Sequence, residues 1–150
     1  MSNEIIIDPE KIHLINIKTS KGNIDSDADI DIDIIKGHEF SFELSTGVNA
    51  DDNVIGINLL VNIEAKDTAD KILPVRGSYT HEIIFIVDNL KDFLILNETD
   101  EYKIDGSLGS TIVSIAYSTI RGIIFTRTQG TSLGSVILPV INPKKLMGLE

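Results

Sequence analysis

The sequence predicts an α+β fold, with an antiparallel β-sheet formed first and one long helix and a short or truncated second helix formed after it. Apolar and polar residues alternate with a period of two through much of the chain before residue 88, and no helical pattern separates the alternating runs. The stretch from 110 to 128 is apolar nearly all round and too long for an ordinary strand. A length of 150 residues fits a single domain, 1–150, in which Leu149-Glu150 resemble a cloning remnant.

The first alternating runs predict edge and half-buried strands. Residues 12–17 are short, apolar and rich in isoleucine, which favours an edge strand, whereas the polar residues 18–27 predict a loop. Isoleucine alternates with aspartate over 28–34, and after Lys36-Gly37 the alternation resumes over 38–45. A period of two with one charged face predicts a half-buried strand in each of these runs.

The next two runs predict the centre of the sheet. Residues 48–53 carry turn chemistry, and 54–66 are the clearest strand in the chain, with apolar side chains on one face and mainly polar ones on the other. The run 72–87 is longer than most strands and contains Pro74 and Gly77, which indicate an edge or a bulge.

The stretch 110–128 predicts a helix that is apolar on opposite sides. It contains no proline; Leu108-Gly109-Ser110 predicts its start and Gln129-Gly130 its end. A helix that is apolar nearly all round must be covered all round, so we expect an obligate oligomer, with a single two-sided core as the alternative. The predicted interface is a seam of small residues four apart with two isoleucines beside it: Ser110, Ser114, Ser118, Gly122, Ile115 and Ile123. A second helix is expected to start at Pro143, which suits a first-turn position.

Charge and composition exclude several classes of protein. The net charge is −10, and residues 1–100 hold 20 acidic and 8 basic side chains, which argues against nucleic acid and anionic membranes as partners. The absence of cysteine excludes disulfides and thiolate chemistry. Because no signal peptide or long uninterrupted apolar segment is visible, we expect a cytoplasmic protein that does not insert into membranes.

The sequence offers no catalytic or metal-binding constellation. His13, His38 and His81 lie far apart, each in a predicted strand, and are expected to be exposed or hydrogen-bonded. The aspartates from Asp25 to Asp33 fail the calcium-loop pattern, because Ile30 and Lys36 occupy its glycine and glutamate positions. Neither a phosphate-binding loop nor a nucleophile elbow is present, and no pair of carboxylates is singled out. We expect no cofactor, no metal and no enzymatic activity.

Four short motifs follow one another in the C-terminal third: Leu108-Gly109, the run from Tyr117 to Arg121, Gly130-Thr131 and Leu138-Pro139-Val140. Their order and spacing resemble the SecB export-chaperone family, within a resemblance that runs from about residue 12 to 147. The family pattern has a Leu-Gly start, an aromatic-Pro-x-x-Arg run in the helix, a Gly-Thr exit and a Pro-Val turn. This sequence keeps Tyr117 and Arg121, replaces the proline with Ser118, and departs from the pattern after Val140.

The resemblance implies an antiparallel four-stranded sheet with two helices, assembled through the long helix as a dimer of dimers. It also implies an ATP-independent chaperone that binds unfolded or slow-folding polypeptides, with a SecA-type motor or an antitoxin as further partners. The excess of apolar positions over the needs of one small core supports client grooves, whose predicted lining is Phe40, Phe42, Leu44, Tyr117 and Leu133. An oligomeric scaffold that uses the helix only for assembly is the alternative.

Overall fold

The computed structural model describes residues 5–27 and 29–148 and has the predicted α+β architecture. An antiparallel four-stranded sheet with the order β1-β4-β3-β2 is followed by a small hairpin, one long helix and one short helix. The elements are β1 (Ile12–Ser26), β2 (Gly37–Asn49), β3 (Val54–Lys66), β4 (Ile72–Val87), β5 (Leu94–Leu96), β6 (Tyr102–Ile104), α1 (Gly106–Thr128) and α2 (Pro143–Leu146). The predicted antiparallel sheet, long helix and short second helix are therefore confirmed.

The two central strands form the floor of the core. In β3 every second side chain is buried, and Ile55, Val61 and Ile63 are each 0% exposed. The same alternation runs through β4 from Leu73 to Val87. These faces form one core cluster with α1 and with Leu133, Val136 and Leu138 of the tail. The bounds predicted for β3 and β4 are confirmed because a one-sided period of two fits a sheet with one covered face.

The prediction of a loop over 18–27 is wrong, since β1 continues to Ser26 and pairs with β4 along its length. An edge strand with most side chains exposed does not need an apolar face, so the polar sequence of β1 carries no alternation from which a strand could be predicted. Gly22 pairs with Tyr79, and a Cβ at Gly22 would lie 3.2 Å from the Tyr79 ring. This close approach explains a glycine within the strand.

The prediction of a strand over 28–34 is also wrong, apart from Ala28, which lies outside the described residues. The chain must travel from β1 at one edge of the sheet to β2 at the other, so it crosses the strand ends and has no neighbour to pair with. It is tied there by hydrogen bonds from Asp27 N to Pro74 O and from Lys36 N to Lys66 O. Its isoleucines form a 3₁₀ turn, Ile32–Ile34, capped by the Asp31 carboxylate.

Helix α1 starts at Gly106, four residues before the prediction, because Asp105 caps it. The Asp105 Oδ2 accepts hydrogen bonds from Ser107 N at 3.0 Å and Leu108 N at 3.2 Å. The helix ends at Thr128, as predicted, and Thr128 Oγ1 accepts a bond from Val136 N that ties the tail to the helix. By length and composition alone α1 is long and apolar enough to cross a bilayer, and 44% of that window is buried within this chain.

Candidate functional site

A large cavity lies beneath the β5–β6 hairpin, and we call it the hairpin groove. It has a volume of about 700 Å³. The floor comes from β2 and β3, one wall from α1, the roof from the hairpin and one end from Met147, which follows α2. The apolar lining residues are Val48, Ile55, Ile57, Tyr102, Ile104, Ile112, Val113 and Met147. A concave, largely apolar surface of this size is suited to apolar side chains of another molecule.

The roof of the hairpin groove is held in shape by its own turn. Asn97 Oδ1 accepts hydrogen bonds from Thr99 N at 3.0 Å, Thr99 Oγ1 at 2.8 Å and Glu101 N at 2.9 Å. Such an Asx turn fixes the backbone of the loop between β5 and β6. Leu96 pairs with Tyr102, and both side chains remain more than half exposed, at 54% and 53%. The hairpin therefore presents apolar side chains beyond those that the core covers.

A second apolar opening, the edge cleft, lies on the other side of α2. It has a volume of about 470 Å³ and is lined by Phe42, Val140, Ile141, Asn142, Lys145 and Leu146. Aromatic rings extend it along β2, because Phe40 and Phe42 stack with centroids 6.3 Å apart and Phe42 meets Tyr117 edge-on at 5.8 Å. The two openings follow the same edge strand, and α2 stands between them.

Three of the five residues predicted to bind clients lie together on β2. Phe40, Phe42 and Leu44 are half-buried on its core-facing side, opposite Ile63, Val61 and Leu59 of β3. Being on an edge strand, they are covered on one flank only. Their position agrees with a lining role, and that role stays a prediction.

The other two predicted client residues are buried in the chain itself. Leu133 is 0% exposed, and a Cβ on Gly77 would lie 2.9 Å from its Cδ2, so it packs tightly on β4. A hydrogen bond from His38 Nε2 to the Leu133 carbonyl, at 2.9 Å, holds this part of the tail against the sheet. Leu133 is therefore part of the core in this conformation and offers no surface to another molecule.

Tyr117 is buried beside the edge cleft, where its ring contacts Phe42. It is 6% exposed, and its hydroxyl donates a short hydrogen bond to the Pro139 carbonyl. Burial raises the pKa of Tyr117 to about 12, against a smaller opposing effect of Arg121. The hydroxyl therefore stays protonated around neutral pH and keeps the tail fastened to α1 as far as Pro139.

His81 corrects the expectation that each histidine is exposed or hydrogen-bonded. It is 0% exposed, and neither ring nitrogen has a hydrogen-bond partner among the described residues. Its ring stacks on Tyr79 with centroids 6.3 Å apart. Burial lowers the pKa of His81 below its usual 6.5, and the positive charge of Arg127 lowers it further. His13 is paired with Asp88 at 3.1 Å and His38 bonds Leu133, as expected.

The depressed pKa of His81 predicts a loss of stability in acid. The unfolded chain takes up a proton more readily than the folded one, so the free energy of unfolding falls as the pH drops below about 6.5 and continues to fall until the folded-state pKa is passed. Replacing His81 with leucine is expected to remove this component and to raise the free energy of unfolding by about 1–3 kcal/mol at pH 5, because unpaired buried nitrogens are removed. Urea unfolding of both proteins at pH 7 and pH 5 measures it, and equal acid losses in the two would contradict it.

The outer face of α1 carries all six residues predicted for the oligomer interface. None of them is buried in the chain: Ser118 and Gly122 are exposed, and the other four are partly exposed. Phe125, which the sequence analysis did not single out, lies on the same face and is 37% exposed. The opposite face holds the residues packed on the sheet, including Ile112, Ile120 and Ile124. This outer face combines small and apolar side chains that remain at least partly exposed in a single chain, and its use as an interface stays a prediction.

Charged groups surround the openings but do not gather into a chemical centre. Asp100, Glu101 and Lys103 line the mouth of the hairpin groove, and Lys145 lines the edge cleft. Within residues 5–27 and 29–148, no three histidine, aspartate or glutamate side chains are grouped so as to hold a metal ion. The arrangement offers apolar contact with a charged rim.

The hairpin and the contact between α2 and α1 were missed by the sequence analysis. Each hairpin strand has only three residues, too few for a period of two to be recognised. The signal that could have found it is the Asn97–Asp100 turn sequence between two short apolar runs.

Comparisons with known proteins identify the fold. No protein-family model matches the sequence, and no curated protein matches it significantly. Among solved structures, a SecB-like chaperone of Mycobacterium tuberculosis, in complex with a ChAD peptide from the HigA1 antitoxin, matches with a TM-score of 0.63 at 12% identity, over 88% of this chain and 91% of that chain. A protein of unknown function from Streptococcus agalactiae covers 86% of this chain and 97% of its own at 10% identity and a TM-score of only 0.38.

The first of these structures shows that the chain has a SecB-like fold, as the resemblance of the C-terminal motifs implies.

Proposed function

We propose that the protein is an ATP-independent holdase that binds extended, apolar stretches of unfolded or slow-folding polypeptides. The observation that carries the proposal is the pair of apolar openings along edge strand β2, one beneath the hairpin and one on the other side of α2, on a SecB-like fold. The fold of a chaperone fits this role, and no step in it requires a reaction. The holdase works in the cytoplasm, where nascent chains are available.

Affinity in this proposal comes from apolar burial. Each client side chain that leaves water for the groove contributes about 1.5–3 kcal/mol before the cost of ordering the client. The charged residues of the hairpin groove, Asp100, Glu101 and Lys103, lie on the hairpin, whereas the floor is mainly apolar, so recognition in this proposal depends on apolar side chains spaced along an extended chain. A broad range of clients follows from this mode of binding.

Assembly would strengthen binding without tightening any one groove. In the proposal the outer face of α1 meets a second copy, and two such pairs form a dimer of dimers. Grooves linked in one particle raise the avidity for a long client by about 10²–10⁴. The partly exposed Ile115 and Ile123 and the exposed Phe125 support this part of the proposal, since apolar side chains left in contact with water are unfavourable.

A second candidate function is a chaperone dedicated to one antitoxin. It is favoured by the mycobacterial structure of the same fold, which holds an antitoxin peptide. Such a protein would bind one partner much more tightly than unrelated unfolded chains. Handover of clients to a SecA-type motor is a third version of the proposal, based on the motif resemblance alone.

Suppression of aggregation tests the proposed function. A chemically denatured, unrelated protein is diluted into buffer without nucleotide, and light scattering is followed with the chain present at stoichiometric amounts. We expect the scattering to be suppressed in proportion to the chaperone added. Unchanged scattering would reject a general holdase and leave the dedicated chaperone or the oligomeric scaffold.

A further inference from the structure

Helix α2 divides what would otherwise be one apolar channel along β2. Met147, which follows α2, lines the hairpin groove, and Leu146 lines the edge cleft. Both side chains are only partly buried. A helix of four residues is too short to be stable by itself, so its position depends on its contacts with α1 and β2.

The end of α2 is seated over a glycine of α1. A Cβ added at Gly109 would lie 2.6 Å from the Met147 Cε and 3.9 Å from Ile104 Cγ2. Glycine within a helix is unfavourable compared with alanine, and here its missing side chain makes the room that the Met147 methyl occupies. The contact therefore joins α1 and α2 at the inner end of the hairpin groove, below the hairpin residue Ile104.

The tail has a natural pivot just before α2. Tyr117 fastens the chain as far as the Pro139 carbonyl, whereas the next residue, Val140, is 85% exposed. Among the tail residues after Pro139 that the structure describes, none is fully buried. Movement of α2 would thus leave the buried tail residues Leu133, Val136 and Leu138 in place.

We infer that α2 is a displaceable plug, in which Met147 seated over Gly109 closes the inner end of the hairpin groove and must leave before an extended client can occupy the whole channel. The inference rests on the proposed function and adds its regulation. The chain's own apolar side chain competes with the client for the same surface. The apparent association constant for clients is then the intrinsic one multiplied by the fraction of molecules in which the plug is displaced.

Two substitutions unseat the plug in different ways. Met147→Ala removes the seated side chain, and Gly109→Ala fills the seat while leaving the methionine intact. If the open state is a minor one of roughly 10% or less, each is expected to tighten the dissociation constant for fluorescein-labelled, reduced and alkylated α-lactalbumin by ~10-fold. The double variant should gain little more, since either change alone removes the contact.

Ser107→Ala is the matched control for the helix substitution, because Ser107 is exposed in the first turn of α1 and does not line the groove. It is expected to leave the dissociation constant unchanged. Weaker or unchanged binding by both Met147→Ala and Gly109→Ala would overturn the inference, since α2 would then be a fixed wall of the site.

Hydrogen exchange tests the plug without any client. The Leu146 amide bonds Asn142 O and the Met147 amide bonds Pro143 O, so both report whether α2 is formed and seated. They are expected to exchange at least ~100-fold faster than the amides of β3, and faster still in Gly109→Ala. If these amides exchange as slowly as those of β3, the inference that α2 is a displaceable plug is overturned, even if the protein binds clients. Failure of every variant to bind the alkylated protein, with fast exchange at α2, would instead count against the proposed function.

Discussion

Replacement of Phe42 with aspartate is expected to weaken binding of an unfolded client by about 100-fold. Phe42 lines the edge cleft, stacks on Phe40 and meets Tyr117 edge-on, so it lies where the apolar surface is most continuous. Loss of an aromatic anchor from the centre of a binding surface commonly costs about 2–4 kcal/mol, and 2.7 kcal/mol corresponds to 100-fold in affinity. Fluorescence anisotropy of labelled, reduced and alkylated α-lactalbumin measures the change.

The control for this variant is Ser41→Asp, which adds the same charge one residue away on the opposite, exposed side of β2. It should leave the dissociation constant within about twofold of the wild type, because surface substitutions away from a binding site have small effects. Equal weakening by the two variants would show that the charge of the strand, and not the apolar cleft, governs binding. Normal binding by Phe42→Asp would remove the edge cleft from the site.

Replacement of Ser118 with arginine is expected to reduce the protein in solution to single chains of 16.5 kDa. Ser118 is exposed at the middle of the outer face of α1, beside Gly122 and Phe125. A long charged side chain placed there would prevent close approach of a second helix and would bury an unpaired charge if assembly occurred. Light scattering coupled to size-exclusion chromatography measures the mass of the wild type and the variant.

Asn58→Arg is the matched control for assembly, since Asn58 is exposed on the outer face of the sheet, away from α1. We expect an oligomer for the wild type and for this control. A wild-type protein that is a single chain at micromolar concentration would contradict the assembly part of the proposal. An oligomer that survives Ser118→Arg would place the interface elsewhere.

The sequence predicted the elements whose burial is one-sided and regular. In β3 the alternation from Ile55 to Ala65 directly reflects a covered and an open face, so its bounds could be assigned to the residue. The prediction was wrong for the second half of β1, because an exposed edge strand does not require alternating apolar and polar residues. The isoleucine-aspartate repeat near Ile32 has the right period but lies across the strand ends, and periodicity carries no information about pairing partners.

The candidate site was predictable only in part, for a related reason. Phe40, Phe42 and Leu44 could be assigned to one face of a strand, and the structure places them on the core-facing side of the sheet edge. The burial of Leu133 and His81 depends on how the tail and α1 cover the sheet, which requires long-range contacts. The seat of Met147 over Gly109 joins residues 38 positions apart, so it is visible only in three dimensions.

Site-directed cross-linking tests most directly whether clients lie in the apolar channel along β2. The chain has no cysteine, so single cysteines can be introduced and labelled with a photoreactive group without background. Thr46→Cys places the label on the lining of the hairpin groove, and Asn58→Cys places it on the opposite face of the sheet. We expect an unfolded client to cross-link efficiently from position 46 and only weakly from position 58. Equal cross-linking from both positions, or stronger cross-linking from position 58, would contradict a client site in the groove.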